Sequence, residues 1–494
     1  MTRSFVESLE FRRLLSISAT FENGVVAIVG SAAADAASVR LLPVASAGGM
    51  LGVYDANTLI LTAPVPAVSL ITAELLGGHD AFECAPAIRI PSKIDGGDGN
   101  DILRAGGGAN TLVGGAGNDQ LFGGDGRDDF SGGTGYDPVS YAGVAYPLRI
   151  TLDNIANDGG IGSTPTATEG DNVRTDIERV IGGNADDFIS AALGNLLPST
   201  NVNLPAVQLE GGPGNDTLIG RSIRRPTLAA SSLDGEELAV DSVKSTGDLA
   251  ANTALSPTAA NAFVNVLLGQ EGDDRLTGGD GNDLLNGGAG DDLLDARGGN
   301  DQLQGDLGRD TLLGGDGNDL LDGGSSGANT TSTVNAISIG GDAPDDISGG
   351  PGIDTVTYAA RTVNTFVSLD DLPNDGATSL GMLPVLEGDN VRSDVENVIG
   401  GRGNDVLTGS AADNALSGGD GNDALSGLAG NDTLEGGRGN DQLLGGEGDD
   451  LLLARDGSVD TVNGGPGNDR AVVDLIDLVS EVEIILTSPS GTNI

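Results

Sequence analysis

The feature that most constrains this chain is a nine-residue repeat. From Gly96 the sequence reads GGDGNDILR, AGGGANTLV, GGAGNDQLF, GGDGRDDFS and GGTGYDPVS without a change of frame. The same frame returns from Gly269 to Asp322, and again from Gly400 to Val472 with one single-residue slip. Isolated copies begin at Gly182, Gly211 and Gly349. A short, fixed period predicts stacked repeats rather than an ordinary globular domain.

Composition agrees with a core built by repetition. The 494-residue chain has 82 Gly, 3% aromatic residues and no Trp, so it lacks the large side chains of a conventional core. Asp and Glu total 73 against 24 Lys and Arg, a formal net charge of −49. Such a chain lacks the basic footprint that nucleic acids and anionic membranes require. The strict spacing of its acids indicates cation sites, whereas random placement would indicate disorder.

Other motifs with a defined chemistry are missing from the sequence. The single cysteine, Cys84, excludes an internal disulfide. Apolar runs such as GVVAIVG from Gly24 are far shorter than the roughly 20 residues that span a bilayer, so no transmembrane segment is predicted. The only histidine, His79, lies in LLGGHDAF, which reads as a degenerate turn, and there is no HExxH helix. No enzyme activity is predicted.

The residue types within each repeat predict its local geometry. Glycine at positions one, two and four predicts a sharp turn with positive φ, and positions seven to nine predict a short strand. The residue at position eight, such as Leu103, Leu285 or Leu443, is the inward-pointing apolar group. Two repeats then form one flattened turn of the coil, which stacks each Asp at position six on its equivalent two repeats later.

That stacking requires a cation. Parallel strands lie about 4.8 Å apart, and two carboxylates roughly 5 Å apart repel by about 3 kcal/mol at an effective dielectric of 20. Ca²⁺ accepts six to eight oxygen ligands in a flexible shell, whereas Mg²⁺ demands a tighter octahedron and Zn²⁺ prefers His or Cys. The sequence therefore favours calcium.

The repeats resemble GGxGxDxUx, with U a large apolar residue, which is the signature of RTX (haemolysin-type) calcium-binding repeats. The resemblance implies an all-β fold, a right-handed parallel β-roll or β-helix solenoid of nonapeptides with β-rich caps and surface insertions. It also implies that Asp at position six and turn carbonyls bind Ca²⁺, roughly a dozen ions in all. The implied metal ligands are Asp101, Asp119, Asp128, Asp137, Asp187, Asp216, Asp274, Asp283, Asp292, Asp301, Asp310, Asp319, Asp354, Asp405, Asp423, Asp432, Asp441, Asp450 and Asp469. At Asn110 and Asn414 the amide is a neutral and weaker ligand, so we expect poorly occupied sites there.

The N-terminus carries a second resemblance. The segment MTRSFVESLEFRRLLSISA lacks the continuous apolar stretch of a secretory signal peptide. It resembles the LEPR-xLL motif found near the N-terminus of large extracellular proteins. The residues in register with that motif are Leu9, Glu10, Arg12, Leu14, Leu15 and Ser16.

The distribution of repeats predicts the domain organisation. The expected segments are a leader or targeting motif over 1–16, an N-terminal β-rich cap over 17–95, a first β-roll block over 96–140, a β-helical module with isolated repeats over 141–220, a surface insertion over 221–268, a second block over 269–322, an insertion with a second β-helical module over 323–399, a third block over 400–472 and a C-terminal cap over 473–494. Residues 191–210 and 323–340 also lack the frame and are expected to be surface excursions. The two β-helical modules are internal duplicates, each containing EGDNVR. Their recurring acids, Asp171, Asp176, Asp389 and Asp394, fit either turn capping or further calcium binding.

These features predict a calcium-binding, secreted or cell-surface structural protein that folds on meeting extracellular Ca²⁺. Two alternatives remain open at this point: a calcium-dependent adhesin and a carbohydrate-active β-helix enzyme. The expected partners are calcium ions, with surface polysaccharide or matrix left open.

Overall fold

The computed structural model describes residues 17–43, 49–160, 170–191, 206–221, 265–324, 344–377 and 388–487. The predicted leader over 1–16, and most of the predicted insertions, lie outside these residues. The chain divides into two units: residues 1–183 with 194–205, and residues 184–193 with 206–494. Both units are all-β in the described ranges except for one 3₁₀ turn, Val65–Ala67. The predicted fold class is confirmed.

The first unit contains two facing sheets. Its strands are β1 (Ser18–Glu22), β2 (Val25–Val29), β3 (Ala36–Leu42), β4 (Met50–Asp55), β5 (Thr58–Pro64), β6 (Leu70–Glu74), β7 (Ala81–Cys84), β8 (Ser92–Asp98), β9 (Ile102–Arg104), β10 (Asn110–Ala116), β11 (Gln120–Phe122), β12 (Asp128–Thr134), β13 (Pro138–Ser140), β14 (Leu148–Thr151), β15 (Gly159–Gly160), β16 (Asn172–Val173) and β17 (Arg179–Ile181). One sheet runs β1-β2-β6-β8-β10-β12-β16. The other places β7, β9, β11, β13 and β17 side by side in parallel.

Antiparallel strands occupy the N-terminal part of this unit. Strand β1 pairs with β2, and β3-β4-β5 form a meander, all antiparallel. Parallel pairing begins where β2 meets β6 and β3 meets β7. The antiparallel strands therefore cover the first parallel turn, which would otherwise expose unpaired N–H and C=O groups.

The second unit repeats the parallel arrangement over a longer stretch. Its strands are β18 (Phe188–Ser190), β19 (Val207–Pro213), β20 (Thr217–Ile219), β21 (Asn265–Glu271), β22 (Arg275–Asp280), β23 (Asp283–Ala289), β24 (Leu293–Gly298), β25 (Gln302–Leu307), β26 (Thr311–Leu313), β27 (Leu320–Asp322), β28 (Asp346–Ser348), β29 (Thr355–Thr357), β30 (Thr365–Ser368), β31 (Gly376–Ala377), β32 (Asn390–Val391), β33 (Asn397–Ile399), β34 (Val406–Thr408), β35 (Ala415–Asp420), β36 (Ala424–Ala429), β37 (Thr433–Arg438), β38 (Gln442–Glu447), β39 (Leu451–Ala454), β40 (Thr461–Asn463), β41 (Arg470–Val473), β42 (Leu478–Ser480) and β43 (Ile484–Thr487). Odd-numbered strands from β19 to β29 are successive parallel neighbours, and so are even-numbered strands from β18 to β28. Each strand thus pairs with the strand two repeats away.

The core is a column of position-eight side chains. Leu103 is opposite Leu121 in register, and Leu285 is opposite Leu303. Leu103, Leu121 and Leu285 are fully buried. Each such side chain contributes roughly 1.5–3 kcal/mol through burial, so the stack is held by many small, equivalent contributions. The prediction of one inward apolar residue per repeat is confirmed.

The turn glycines serve two different purposes. In the repeat that starts at Gly114, positions two and four (Gly115 and Gly117) have φ of 120° and 130°, as predicted. Gly114 itself lies outside the left-handed region, which differs from the sequence prediction for position one. A Cβ there would collide with Oδ2 of Asp119 and come within 2.6 Å of the carbonyl oxygen of Gly132. Position one is therefore glycine because there is no space for a side chain.

Candidate metal centre

The side chains at position six form hydrogen-bonded ladders along each edge of the coil. The backbone N–H of Asp101 donates to Oδ1 of Asp119 at 2.7 Å, and that of Asp119 donates to Oδ1 of Asp137 at 2.8 Å. Each step spans 18 residues, or two repeats. The register of the strands therefore brings every predicted ligand onto the neighbour that the period assigns to it.

The same ladder recurs throughout the described residues. In the first unit it runs Asp35, Asp80, Asp101, Asp119, Asp137, Glu178. In the second unit it runs Asp187, Asp216, Asp274, Asp292, Asp310, Asp345, Asp389 on one edge and Asn265, Asp283, Asp301, Asp319, Asp354, Glu396 on another. Toward the C-terminus two further ladders run Asp405, Asp423, Asp441, Asp460, Asp477 and Asn414, Asp432, Asp450, Asp469, Glu483.

Most of these carboxylates use only one of their two oxygens. Oδ1 accepts the ladder N–H, whereas Oδ2 is buried and has no hydrogen-bond donor in the described structure. The residues with a lone Oδ2 are Asp80, Asp101, Asp119, Asp137, Asp216, Asp274, Asp292, Asp301, Asp319, Asp354, Asp423, Asp432, Asp441, Asp450, Asp460 and Asp469. A buried anionic oxygen without a donor or a cation is strongly unfavourable, so these oxygens need a proton or a cation.

Several of the lone oxygens lie beside a backbone carbonyl oxygen of the next turn. At Gly418, a Cβ would collide with Oδ2 of Asp423 and lie 2.6 Å from the carbonyl oxygen of Gly436. The same pairing of a carboxylate and a carbonyl oxygen occurs at Gly96, Gly269 and Gly445. The turn thus gathers oxygen ligands from two stacked repeats, which is the donor set that Ca²⁺ prefers.

Carboxyl groups in the ladders have raised pKa values, as expected for buried acids without a compensating positive charge. Burial raises the pKa of Asp119 to about 7; the hydrogen bond from the Asp101 N–H opposes this rise, and the charges of Asp137 and Asp101 add to it. Burial likewise raises the pKa of Asp301 to about 8, with a contribution from Asp319. Protons and metal ions compete for the same oxygens, so any cation that binds them displaces protons near neutral pH.

In two predicted ligands, the second carboxylate oxygen accepts a hydrogen bond from a backbone N–H. Gly279 donates to Oδ2 of Asp283 and Gly401 donates to Oδ2 of Asp405, both at 2.7 Å. Neither glycine has a positive φ, in contrast to Gly419 at the same position of the next turn, where φ is 102°. The turn conformation therefore decides whether the second oxygen is satisfied by the protein.

The structure adds ladder members that the full nine-residue motif did not identify. Asp35, Asp80, Asp345 and Asp460 are buried and lie in ladders with the predicted ligands. Their repeats are degenerate, follow an insertion or contain the one-residue slip. The shorter pattern of Asp followed two residues later by an apolar side chain is still present, as in Asp80–Phe82 and Asp460–Val462, and could have found most of them.

The acids of the duplicated modules separate into two roles. Asp171 and Asp389 lie in ladders and each accepts a hydrogen bond from a buried tyrosine, Tyr141 at 3.0 Å and Tyr358 at 3.1 Å. Oδ2 of Asp176 instead accepts from the Ser131 hydroxyl and the Gly133 N–H, and its buried Oδ1 has no donor among the described residues. Asp394 accepts from the Ser348 hydroxyl and from the N–H groups of Gly349 and Gly350.

Side chains alone do not complete a metal shell. Among the residues that the structure describes, no three His, Cys, Asp or Glu side chains come together as a metal-binding group. Any ion in these turns therefore depends on backbone carbonyl oxygens for part of its shell. The donor set of carboxylate and carbonyl oxygens fits Ca²⁺ and does not fit Zn²⁺.

His79 and Cys84 have structural surroundings. Nδ1 of His79 accepts the backbone N–H of Asn100 at 2.8 Å. Cys84 is buried, and burial raises the pKa of its thiol to about 12. A thiol with so high a pKa is not a nucleophile at neutral pH.

Fold and ladders together define a class of protein: a parallel β-roll of stacked nonapeptide turns with in-register buried carboxylates. Comparison with family models matched the RTX calcium-binding nonapeptide repeat (four copies) at residues 93–112, 104–137, 208–222, 260–294, 268–303, 295–326, 393–425, 417–452, 426–459 and 456–471. The chain carries RTX calcium-binding repeats, as the sequence predicts. Comparison with curated proteins found no match. In the described ranges, no helix is long and apolar enough to span a membrane.

Proposed function

We propose that the position-six aspartates are calcium ligands and that the chain winds into its roll on binding the ion. The observation that carries this proposal is the row of buried Oδ2 atoms without donors, several of which lie beside a carbonyl oxygen of the next turn. Calcium supplies the missing positive charge and joins two stacked repeats. Ions that bind only the wound state add their binding free energy to folding.

The proposed setting is extracellular. Extracellular calcium modules commonly bind at about 10⁻⁴ to 10⁻³ M, far above the free calcium of the cytosol. With a formal net charge of −49, the unbound chain repels itself and resists compaction. We therefore expect the protein to be secreted or displayed on the cell surface, to wind after export, and to bind roughly a dozen ions.

The proposed role is structural rather than catalytic. The repeated residues of the coil form ladders and turns, and the hydrogen bond from the Asn100 N–H to His79 supports a turn role for this histidine. A screen for polysaccharide degradation in the presence of calcium tests this part of the proposal. Turnover of any substrate by the calcium-loaded protein would contradict it.

Circular dichroism and calorimetry test the calcium proposal directly. We expect little β-sheet signal in EGTA, a cooperative gain of β-sheet signal on titration to millimolar Ca²⁺, and no equivalent gain with Mg²⁺. Titration calorimetry gives the number of ions bound. Equal β content with and without calcium would overturn the proposal.

A further inference from the structure

One turn of the first block contains a neutral side chain where its neighbours have a carboxylate. Asn110 occupies position six and is 3% exposed. Its Nδ2 donates to the carbonyl oxygens of Gly106 at 2.9 Å, Gly108 at 2.7 Å and Gly123 at 3.1 Å, and to Oδ1 of Asp128 at 2.9 Å. An amide group has two hydrogens, so four oxygens surround this nitrogen much as oxygens surround a small cation.

The rest of this turn is also satisfied by the protein. Oδ1 of Asn110 accepts the Ser92 hydroxyl at 2.7 Å, so the position-six pair at the start of this edge has no charge. Further along the same edge, Asp171 accepts the hydroxyl of Tyr141. On the opposite edge, Asp101 and Asp119 each have a lone buried Oδ2.

We propose that the amide of Asn110 takes the place of a calcium ion, so that the turn over 105–110 and its contacts with 123–128 form without calcium. This inference rests on the proposed function, since it concerns where an ion is replaced. It makes the Asn110 turn an ion-independent anchor on which the calcium-dependent turns of the first block wind. Asn265 is a second, less complete example of asparagine at position six. Its Nδ2 donates to Oδ1 of Asp283 at 2.7 Å.

Hydrogen exchange of the full-length protein, followed by mass spectrometry, tests the anchor. In EGTA we expect slow exchange of 105–131, measured from peptides covering 105–113 and 122–131 because 114–121 contains the calcium-dependent turn of Asp119. We expect fast exchange of peptides covering 418–450, where the turns contain lone carboxylate oxygens. Calcium should slow the second group. If 418–450 does not respond to calcium, the proposed function fails. If 105–131 exchanges in EGTA as fast as a calcium-responsive 418–450, the anchor fails and the proposed function stands.

Three variants sharpen the test. Asn110→Asp removes the donors and adds a charge, so protection of 105–131 in EGTA should fall about tenfold or more and return with calcium. Asn110→Ala should lose protection without recovery, because it provides neither donors nor a ligand. Asn118→Asp is the matched control, because it adds the same charge at an exposed residue. Oδ1 of Asn118 accepts the Tyr136 N–H, and the substitution should leave the exchange protection of 105–131 unchanged. Wild-type protection of Asn110→Asp in EGTA, or no recovery with calcium, would overturn the inference.

Discussion

Two neighbouring aspartates of one ladder should respond in opposite directions to the same isosteric change. Asp423 accepts the Asp405 N–H at 2.7 Å through Oδ1 and has a lone Oδ2. Asp405 accepts the Thr365 N–H through Oδ1 and the Gly401 N–H through Oδ2, both at 2.7 Å. The Asp→Asn substitution replaces one carboxylate oxygen with an amide nitrogen at nearly constant shape, so the two sites differ only in what that nitrogen meets.

For Asp423→Asn the amide faces the carbonyl side of the turn, and a buried charge is removed. Burial and the charges of Asp405 and Asp441 raise the pKa of Asp423 to about 7, and the hydrogen bond from the Asp405 N–H opposes the rise. Ionising this group at pH 8 therefore destabilises the metal-free roll by up to about 4 kcal/mol. Coulomb repulsion of about 3 kcal/mol per neighbouring carboxylate, at an effective dielectric of 20, gives a similar magnitude. We expect Asp423→Asn to stabilise the metal-free protein and to reduce the stabilisation that millimolar calcium provides by about 0.4–1.4 kcal/mol, the loss of one site with Kd of about 10⁻³ to 10⁻⁴ M.

For Asp405→Asn the amide nitrogen must face a backbone N–H. One hydrogen bond is lost and two donors oppose each other, at a cost of about 1–3 kcal/mol. We therefore expect Asp405→Asn to destabilise the metal-free protein. Calcium titration of the β-sheet signal at pH 8 measures both variants, because a variant with a more stable metal-free roll winds at a lower calcium concentration. Urea unfolding in millimolar Ca²⁺ gives the stability of the loaded form. The reasoning is refuted if both variants shift metal-free stability in the same direction by the same amount, or if Asp423→Asn leaves the calcium effect unchanged.

Three further predictions follow from the turns. Gly114→Ala should destabilise the calcium-loaded protein by more than about 2 kcal/mol, because the new Cβ meets Asp119 and Gly132. The control Gly143→Ala should cost only about 1 kcal/mol, because Gly143 has open space around it and a φ of 90°. Equal melting temperatures of the two variants would contradict the packing argument. Leu428→Gly should raise the free energy of unfolding by up to about 1 kcal/mol, because Leu428 lies at position two with φ of 77° and is half exposed. An unchanged or lower urea midpoint would count against this prediction. In EGTA the β-sheet signal should fall as pH rises from about 4 to about 7. Burial raises the pKa of Asp119 to about 7 and of Asp137 to about 6, so the folded state binds more protons than the unfolded state in that window and loses stability as pH rises. A β-sheet signal in EGTA that rises with pH would show the sign to be wrong.

Much of the candidate site could be predicted because its geometry is periodic. A strand points alternate residues to one face, so position eight had to be the core residue and position six had to lie at the turn. The 18-residue ladder between Asp101 and Asp119 follows from placing two repeats in one turn of coil. Ladder residues such as Asp345 were not predicted, because an insertion precedes them in the sequence. Stacking depends on strand pairing rather than on continuous sequence.

The amino-acid sequence by itself determined the fold class, the column of core leucines and the register of the aspartates, because each follows from a local period. Tertiary structure decided which oxygens still need a partner. Asp405 and Asp423 have the same motif, yet only the former receives a second N–H, because the backbone of its turn points Gly401 N–H toward it. Likewise, only the close approach of stacked turns surrounds the Asn110 amide with carbonyl oxygens. The direction of a backbone dipole depends on φ and ψ in packed turns, and neither angle is specified by residue type alone.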